Sequence, residues 1–243
     1  MRRARFFVRQ PIRIGQTMPL PQFAADHAIR VLRMREGDAI TVFNGDGHDY
    51  AGRVAYARKG EAGVHVDAQA SVDVESPLAI TLVQAIVRSE KMDWILQKAT
   101  ELGVVGIVPI VTDRTEVKLD AERAERRVAH WEAVVASACE QSGRSRLPTI
   151  AEPVKLSDWA ASLDESAGLR LALDPDGDIA PRDLPAESRA TLAVGPEGGL
   201  SDHDLATLAV AGFRSLRLGP RILRTETAGL AAIAAMQALI GDI

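Results

Sequence analysis

From Leu78 to the C-terminus, strand-like and helix-like runs alternate, and this alternation constrains the fold more than any other feature of the chain. Successive β-α-β units bury their apolar faces most readily as a mostly parallel sheet covered by helices. Ala79–Ala85 reads as a strand. Ser89 reads as the cap of a helix whose apolar positions Met92, Ile95, Leu96, Ala99 and Leu102 keep the helical period until Gly103 stops it. Val104–Val111 is almost wholly apolar, as a strand covered on both faces should be. A long helix follows over about 120–142, burying Val128, Trp131, Val135 and Ala138 and turning Glu140 and Arg144 outward. Beyond it come a short strand near Thr149, a helix near Trp159, strands over 169–173 and 191–194, and a helix over 201–211 with Ser201 as N-cap and Gly212 as stop. A strand over 215–218 and a helix over 225–240 complete the series.

The first part of the chain has a different texture. Residues 38–69 are short and β-like, with Asn44-Gly45-Asp46-Gly47 as hairpin chemistry between runs 39–43 and 50–56, and a further run over 64–68, which predicts a small barrel or sheet. Before it, 21–33 reads as a helix with apolar Phe23, Ala24, Ala28, Val31 and Leu32, and with His27, Arg30 and Arg33 facing elsewhere. The aperiodic, proline-containing segment 71–77 marks the boundary, giving domains over 1–74 and 75–243. Charge is unevenly placed. Residues 1–35 hold eight arginines, including Arg2 and Arg3, against Asp26 alone, about +7, while the whole chain of 243 residues is at −4. One concentrated basic patch on an acidic protein can hold phosphates locally, with salt-dependent affinity.

Several classes are excluded. The single cysteine, Cys139, permits no internal disulfide and no thiolate-rich zinc site, which fits a reducing cytoplasm. The five histidines never pair at i, i+4, so no metal is expected. The arginine-punctuated N-terminus has too short an apolar run for a signal peptide. The longest apolar run, about 13 residues over 228–240 and interrupted by Gln237, falls short of a membrane span. No P-loop, complete dinucleotide fingerprint or Gly-x-Ser-x-Gly elbow occurs.

Ligands of an open parallel sheet gather beyond the carboxyl ends of its strands. Two loops there are unusual. Gly195-Pro196-Glu197-Gly198-Gly199 joins a strand to a capped helix, and its glycines permit positive φ and close backbone approach to a ligand; Gly198→Val is expected to abolish that binding. The loop from Leu218 to Ala228 carries apolar Ile222 and Leu223 between Arg221 and Arg224, a pattern that can line a flat aromatic ligand or plug a loop onto its core. The helix after it is apolar almost all round, which calls for a large core or a second subunit.

Six ordered segments together carry a resemblance: Arg5-Phe6-Phe7-Val8, residues 27–33, residues 91–103, Glu140-Gln141-Ser142-Gly143-Arg144, residues 195–199 and residues 218–228. In these the chain resembles the bacterial ribosomal RNA small-subunit methyltransferase E family, the uridine-N3-specific members of the SPOUT (knotted α/β) methyltransferases. The resemblance implies an α/β fold with a SPOUT-type, mostly parallel sheet and a C-terminal trefoil knot, preceded by a small PUA-like β-barrel for RNA. It also implies a homodimer, S-adenosylmethionine (SAM) as cofactor, and 16S ribosomal RNA of the small subunit or its precursor as partner, with neither membrane nor metal. Carried over by position, the cofactor would be held by Leu173, Gly195, Pro196, Glu197, Gly198, Gly199, Leu218, Gly219, Ile222, Leu223 and Thr227. Gly219-Pro220 departs from the small or polar residues often seen there, which affects loop stiffness more than chemistry.

Uridine N3 is protonated at neutral pH and a poor nucleophile, so its methylation calls for a cation to stabilise the uracil anion and a group to take the proton. Arg224 is the expected cation, and Glu226 or Glu197 the proton acceptor, although a helix dipole or a loop brace would also account for either glutamate. Arg5, Arg9, His27, Arg30, Arg33, Lys91 and Arg144 are the expected grip on RNA. On spacing alone, Lys91, Lys98 and Glu101 also read as a salt-bridged stripe. The alternatives are a non-catalytic RNA-binding assembly factor and a methyltransferase of the same fold acting on transfer RNA or a ribose 2′-hydroxyl.

Overall fold

The computed structural model describes residues 4–58, 60–117, 121–164 and 168–243; Arg2, Arg3 and the expected helix start at position 120 lie outside them. The chain divides into two compact units, residues 1–75 with 136–147, and residues 76–135 with 148–243.

In the first unit, β1 (Ala4–Phe7), β2 (Thr17–Pro19), β3 (Ala39–Phe43), β4 (His48–Arg58) and β5 (Glu61–Ser71) form one sheet in the order β1-β3-β4-β5-β2. Alternation sets its inward face, where Phe6, Ile40, Val42, Val54, Val64 and Val66 share a core with Ala24, Ala25 and Ala28. The segment read as one helix is instead α1 (Gln22–Asp26) running into a π-helical turn, His27–Val31. The wider turn, closed by Leu32 N–H donating to the His27 carbonyl at 3.0 Å, rotates the following residues off the helical face. Val31 and Leu32 are therefore exposed; Phe23, ahead of the turn, is exposed too, and Ala24, Ala25 and Ala28 make the buried contact with Ile29 partly buried beside them.

Residues 136–147 belong to this unit. Cys139 is buried there, and burial pushes its thiol up to about 12. Glu140 accepts a hydrogen bond from the Phe7 N–H at 2.8 Å, and burial raises its carboxyl above the usual value. Neither Glu140, held against Phe7, nor Arg144 is turned outward as the helical spacing predicts. The helix ends at Ser142, Gly143 reverses the chain at φ 91°, and Arg144, 4% exposed, turns in to donate from Nε to Glu75 at 3.1 Å.

The second unit is built on a sheet in the order β12-β10-β11-β6-β7-β8, every pairing parallel. Its strands are β6 (Ala79–Ala85), β7 (Val104–Val111), β8 (Thr149–Ile150), β9 (Val154–Lys155, also paired to β7), β10 (Leu169–Leu173), β11 (Arg189–Val194) and β12 (Arg214–Leu216). Helices are α2 (Ser89–Glu101), α3 (Ala121–Ser142, which continues into the first unit), α4 (Leu156–Ala161), α5 (Asp202–Val210) and α6 (Thr225–Ile240). Leu156 and Leu208, with Phe213, meet Val83, Ala85, Ile110, Ala172 and Ala193 in one core. α2 and α6 pack on each other, burying Met92, Ile95, Leu96 and Ala99 of α2. The residue that caps α2 is Arg88, not Ser89, which is already helical.

α6 buries one stripe, Thr225, Gly229, Ala232, Ile233, Met236 and Gln237, at helical spacing. The interruption at Gln237 has a structural cause. Its amide donates to the Leu102 carbonyl at 3.0 Å and accepts from Ser76 Oγ at 2.6 Å, so it satisfies the end of α2 and the approach to β6 from inside the core. No helix among the described residues is long and apolar enough to cross a membrane.

Candidate cofactor-binding site

Because β10, β11 and β12 are parallel neighbours, the loops leaving their carboxyl ends meet. They enclose a cavity of about 420 Å³ walled by residues 173–176, 194–200 and 216–223, with Arg114, Asp202, Leu205, Thr225 and Ala228 completing it. Leu218, Ile222 and Leu223 give it an apolar side, Asp174, Asp176, Glu197 and Asp202 acidic groups, and the glycine loop bare backbone.

The glycines differ in what they do. A Cβ on Gly195 would lie 2.7 Å from Leu200 N and 2.8 Å from Gly199 C, both backbone atoms that cannot step aside. Gly199 stands at φ 73°, in the left-handed region, and its N–H closes the turn onto the Pro196 carbonyl at 2.9 Å. Gly198 has neither constraint: a Cβ there would make ordinary contact, 3.4 Å, with the Arg114 side chain.

Three neighbours hold this loop. Thr225, first residue of α6, donates from Oγ1 to the Gly195 carbonyl at 2.6 Å and accepts from Gln84 Nε2 at 3.3 Å. Arg114, in the loop after β7, donates to the carbonyls of Gly198 at 2.8 Å and Leu200 at 3.2 Å. Beside it Asp113 accepts from Ser201 Oγ at 2.7 Å and faces His203 Nδ1 at 3.1 Å; the Ser201 hydroxyl first, then His203, hold its carboxyl below the usual range. Ser201 also caps α5 reciprocally: its Oγ accepts from Asp204 N–H at 3.0 Å while Asp204 accepts from Ser201 N–H at 2.9 Å.

Of the residues expected to hold a cofactor, Leu173, Gly195, Pro196, Glu197, Gly198, Gly199, Leu218, Gly219, Ile222 and Leu223 all line the cavity. Thr227 does not. With α6 starting at Thr225, position 227 lies about 200° further round the helix and is exposed, and Thr225 takes the place assigned to it. Arg224 is likewise off the cavity wall, exposed as the residue preceding α6. Glu226 and Glu197 come together through Lys91, whose Nζ lies 3.5 Å from Glu226 Oε2 and 3.4 Å from Glu197 Oε1. Arg114, Asp174, Asp176 and Thr225 were not anticipated. Asp174-Pro175-Asp176 directly follows a strand, so the rule that singled out the two glycine-bearing loops applies to it equally.

In the first unit Arg9, Arg30 and Arg33 are exposed, Arg30 beside Asp26 at 3.2 Å. Arg5 is spent within the unit: 12% exposed, it pairs with Asp49 and donates to Ser145 Oγ at 3.1 Å and the Arg144 carbonyl at 3.0 Å. Arg144 is spent likewise on Glu75, so neither presents a free guanidinium for RNA. His27 is half-buried against the Phe6 ring edge, centroids 5.8 Å apart.

Comparison with known proteins agrees with this architecture. Residues 74–237 match the family described as RNA methyltransferase domain, and residues 24–66 the RNA methyltransferase PUA domain. Ribosomal RNA small subunit methyltransferase E of Buchnera aphidicola is 30% identical over 98% of this chain and 97% of its own. Among solved structures, a Legionella pneumophila protein described as a methyltransferase, in complex with SAM, is 37% identical with a TM-score of 0.95, covering both chains fully. Ribosomal RNA small subunit methyltransferase E of Neisseria gonorrhoeae, bound to S-adenosyl methionine, is also 37% identical over the full length of both chains, with a TM-score of 0.91.

Proposed function

The chain belongs to the RNA methyltransferase family, and on that footing we propose that it transfers a methyl group from SAM to N3 of one uridine in the 16S ribosomal RNA of the small subunit or its precursor. The observation that carries the reading is the cavity itself. Its volume of about 420 Å³ is that of a small-molecule site, and its walls suit each part of SAM. Leu218, Ile222 and Leu223 would hold the flat adenine, and Ile222 is an apolar residue left 85% exposed at the cavity. The acidic groups of Asp174, Asp176, Glu197 and Asp202 suit sugar hydroxyls and a sulfonium cation, and Arg114 a carboxylate. Gly195 lets the backbone turn where no Cβ fits. Bound there, SAM supplies an electrophilic methyl group.

The chain's own contribution is placement. Holding an acceptor nitrogen in line with the methyl group is worth roughly 7 to 11 kcal/mol of the barrier. Thr225 and Arg114 brace the glycine loop by hydrogen bonds to its Gly195 and Gly198 carbonyls. The N3 edge of uridine is occupied in a base pair, so the target must be unpaired or flipped out. Arg9, Arg30 and Arg33, exposed on the PUA-like unit, are the proposed grip on the flanking phosphates. A C-terminal trefoil knot and a homodimer, made in part by the C-terminal surface that exposes Leu239 of α6 and Ile243 beyond it, complete the proposed cytoplasmic enzyme.

The test is labelled-methyl transfer from SAM to small subunits lacking the modification, followed by digestion to nucleosides and mass identification. 3-Methyluridine is expected. Label only in transfer RNA, a ribose-methylated product, or no transfer would each overturn the proposal.

A further inference from the structure

Lys91 sits on the first turn of α2 and is 33% exposed at its side chain. It lies between two carboxylates from different elements, Glu197 of the glycine loop and Glu226 of the first turn of α6. Contacts of 3.4 and 3.5 Å are longer than charge-assisted hydrogen bonds, about 2.7 to 2.9 Å. The ammonium is thus held by charge while its donors remain unspent. Glu226 Oε2 is buried and accepts no hydrogen bond, an expensive condition for a carboxylate oxygen in a structural ion pair. Glu197 belongs to the cavity wall, so the trio adjoins the proposed methyl donor. Arg224, the cation expected from the sequence, is exposed; like Lys91 and Glu226 it is not itself part of that wall, but Lys91 is tied to the wall through Glu197.

We propose that Lys91, not Arg224, is the cation that stabilises the uracil anion, and that Glu226 takes the N3 proton. The inference rests on the uridine-N3 reading above. As the N3–H bond breaks, its electron pair stays on nitrogen and the proton passes to Glu226, which becomes a neutral acid. Lys91, released from one carboxylate charge, donates to a carbonyl oxygen of the anionic base. The nitrogen pair then forms the bond to the methyl carbon, the carbon–sulfur pair returns to sulfur, and Glu226 yields its proton to water. One lysine between two carboxylates leaves the trio at net −1, so taking up one proton brings it to neutrality.

The test uses the full-length protein with small subunits lacking the modification, alongside subunits assembled on RNA containing 5-fluorouridine, whose N3 is more acidic. The wild-type rate is expected to be nearly flat across neutral pH. Glu226→Gln should lose about 10²- to 10³-fold at neutral pH and regain about tenfold per pH unit, because it must wait for pre-ionised base. SAM affinity by calorimetry should be unchanged in it. Glu197→Gln should keep the flat profile. Lys91→Met should lose rate on uridine, Lys91→Arg restore part of it, and 5-fluorouridine narrow the losses at both Lys91 and Glu226. Without SAM, wild type should bind the 5-fluorouridine subunits more tightly than the uridine ones, and Lys91→Met should not distinguish them. A flat profile in Glu226→Gln, a slope appearing instead in Glu197→Gln, or discrimination surviving in Lys91→Met overturns the assignment. A wild-type product other than 3-methyluridine overturns the underlying reading instead.

Discussion

Gly195 and Gly198 stand three residues apart in one loop, yet only the first has backbone atoms where a side chain would begin. Gly195→Ala would drive a Cβ to 2.7 Å from Leu200 N and must open the turn, whereas Gly198→Ala meets only a side chain at 3.4 Å. Calorimetry with SAM should therefore show at least a tenfold loss for Gly195→Ala, about 1.4 kcal/mol, and little change for Gly198→Ala. A cluster of glycines is visible in a sequence; which of them has no room for a side chain depends on what the fold brings against it. Tyr50 and Asp46 make the same point with charge. Their hydrogen bond of 2.6 Å is the largest cause of a Tyr50 hydroxyl pushed up to about 12, and it holds the Asp46 carboxyl below its usual value although burial acts the other way. Asp46, depressed, contributes stability that is lost as pH falls through its folded value; Tyr50, raised, contributes stability that is lost as pH climbs from about 10 to about 12. Denaturant titration of Tyr50→Phe should show a deficit of about 1 kcal/mol at neutral pH that closes toward both extremes. A deficit independent of pH would mean that the ring's packing, not the hydrogen bond, had been disturbed.

Ser201 serves two elements at once. It caps α5 through Asp204 and, by donating to Asp113, ties α5 to the loop whose Arg114 grips Gly198 and Leu200. Ser201→Ala should cost about 1 kcal/mol in chemical denaturation and also weaken SAM binding, because the brace on the glycine loop loosens. Loss of stability with full SAM affinity would show the cap to be independent of the site. At this scale the strands β6 and β7 and the helix α6 are legible in the sequence because each is a continuous, mostly apolar run whose ends are marked by polar residues, proline or glycine. The segment 21–33 is less so. Its apolar residues fit an α-helical face, but a π-helical turn costs the pattern its phase and leaves Val31 and Leu32 outside; Phe23, which precedes the turn, is exposed as well. Arg144 escapes a helical-wheel reading for a related reason, since Gly143 ends the wheel one residue earlier.

Across the whole molecule, charge is divided between units. The basic stretch at the N-terminus does not act as a single surface: Arg5 is tied to Asp49, while Arg9 and Arg33 are exposed. Arg9→Ala combined with Arg33→Ala should weaken binding to small subunits and reduce the salt slope by roughly 1.5, leaving SAM affinity intact because the cavity lies wholly in the other unit. An unchanged slope would place the RNA surface elsewhere. The α/β architecture and the location of the cavity could be read from the sequence because both follow from strand–helix alternation and from loops at strand ends. Arg114 could not, because it is brought to the site from a segment distant in sequence; Lys91, Glu197 and Glu226 were each visible singly but their meeting was not, and the start of α6 that puts Thr225 rather than Thr227 on the wall depends on the fold. All of these assignments depend on the three loops after β10, β11 and β12 closing around the methyl donor. Hydrogen exchange with and without saturating SAM tests that directly: slowed exchange is expected in peptides covering 173–176, 195–200 and 216–225. Protection appearing elsewhere while those peptides exchange at their unliganded rates would contradict it.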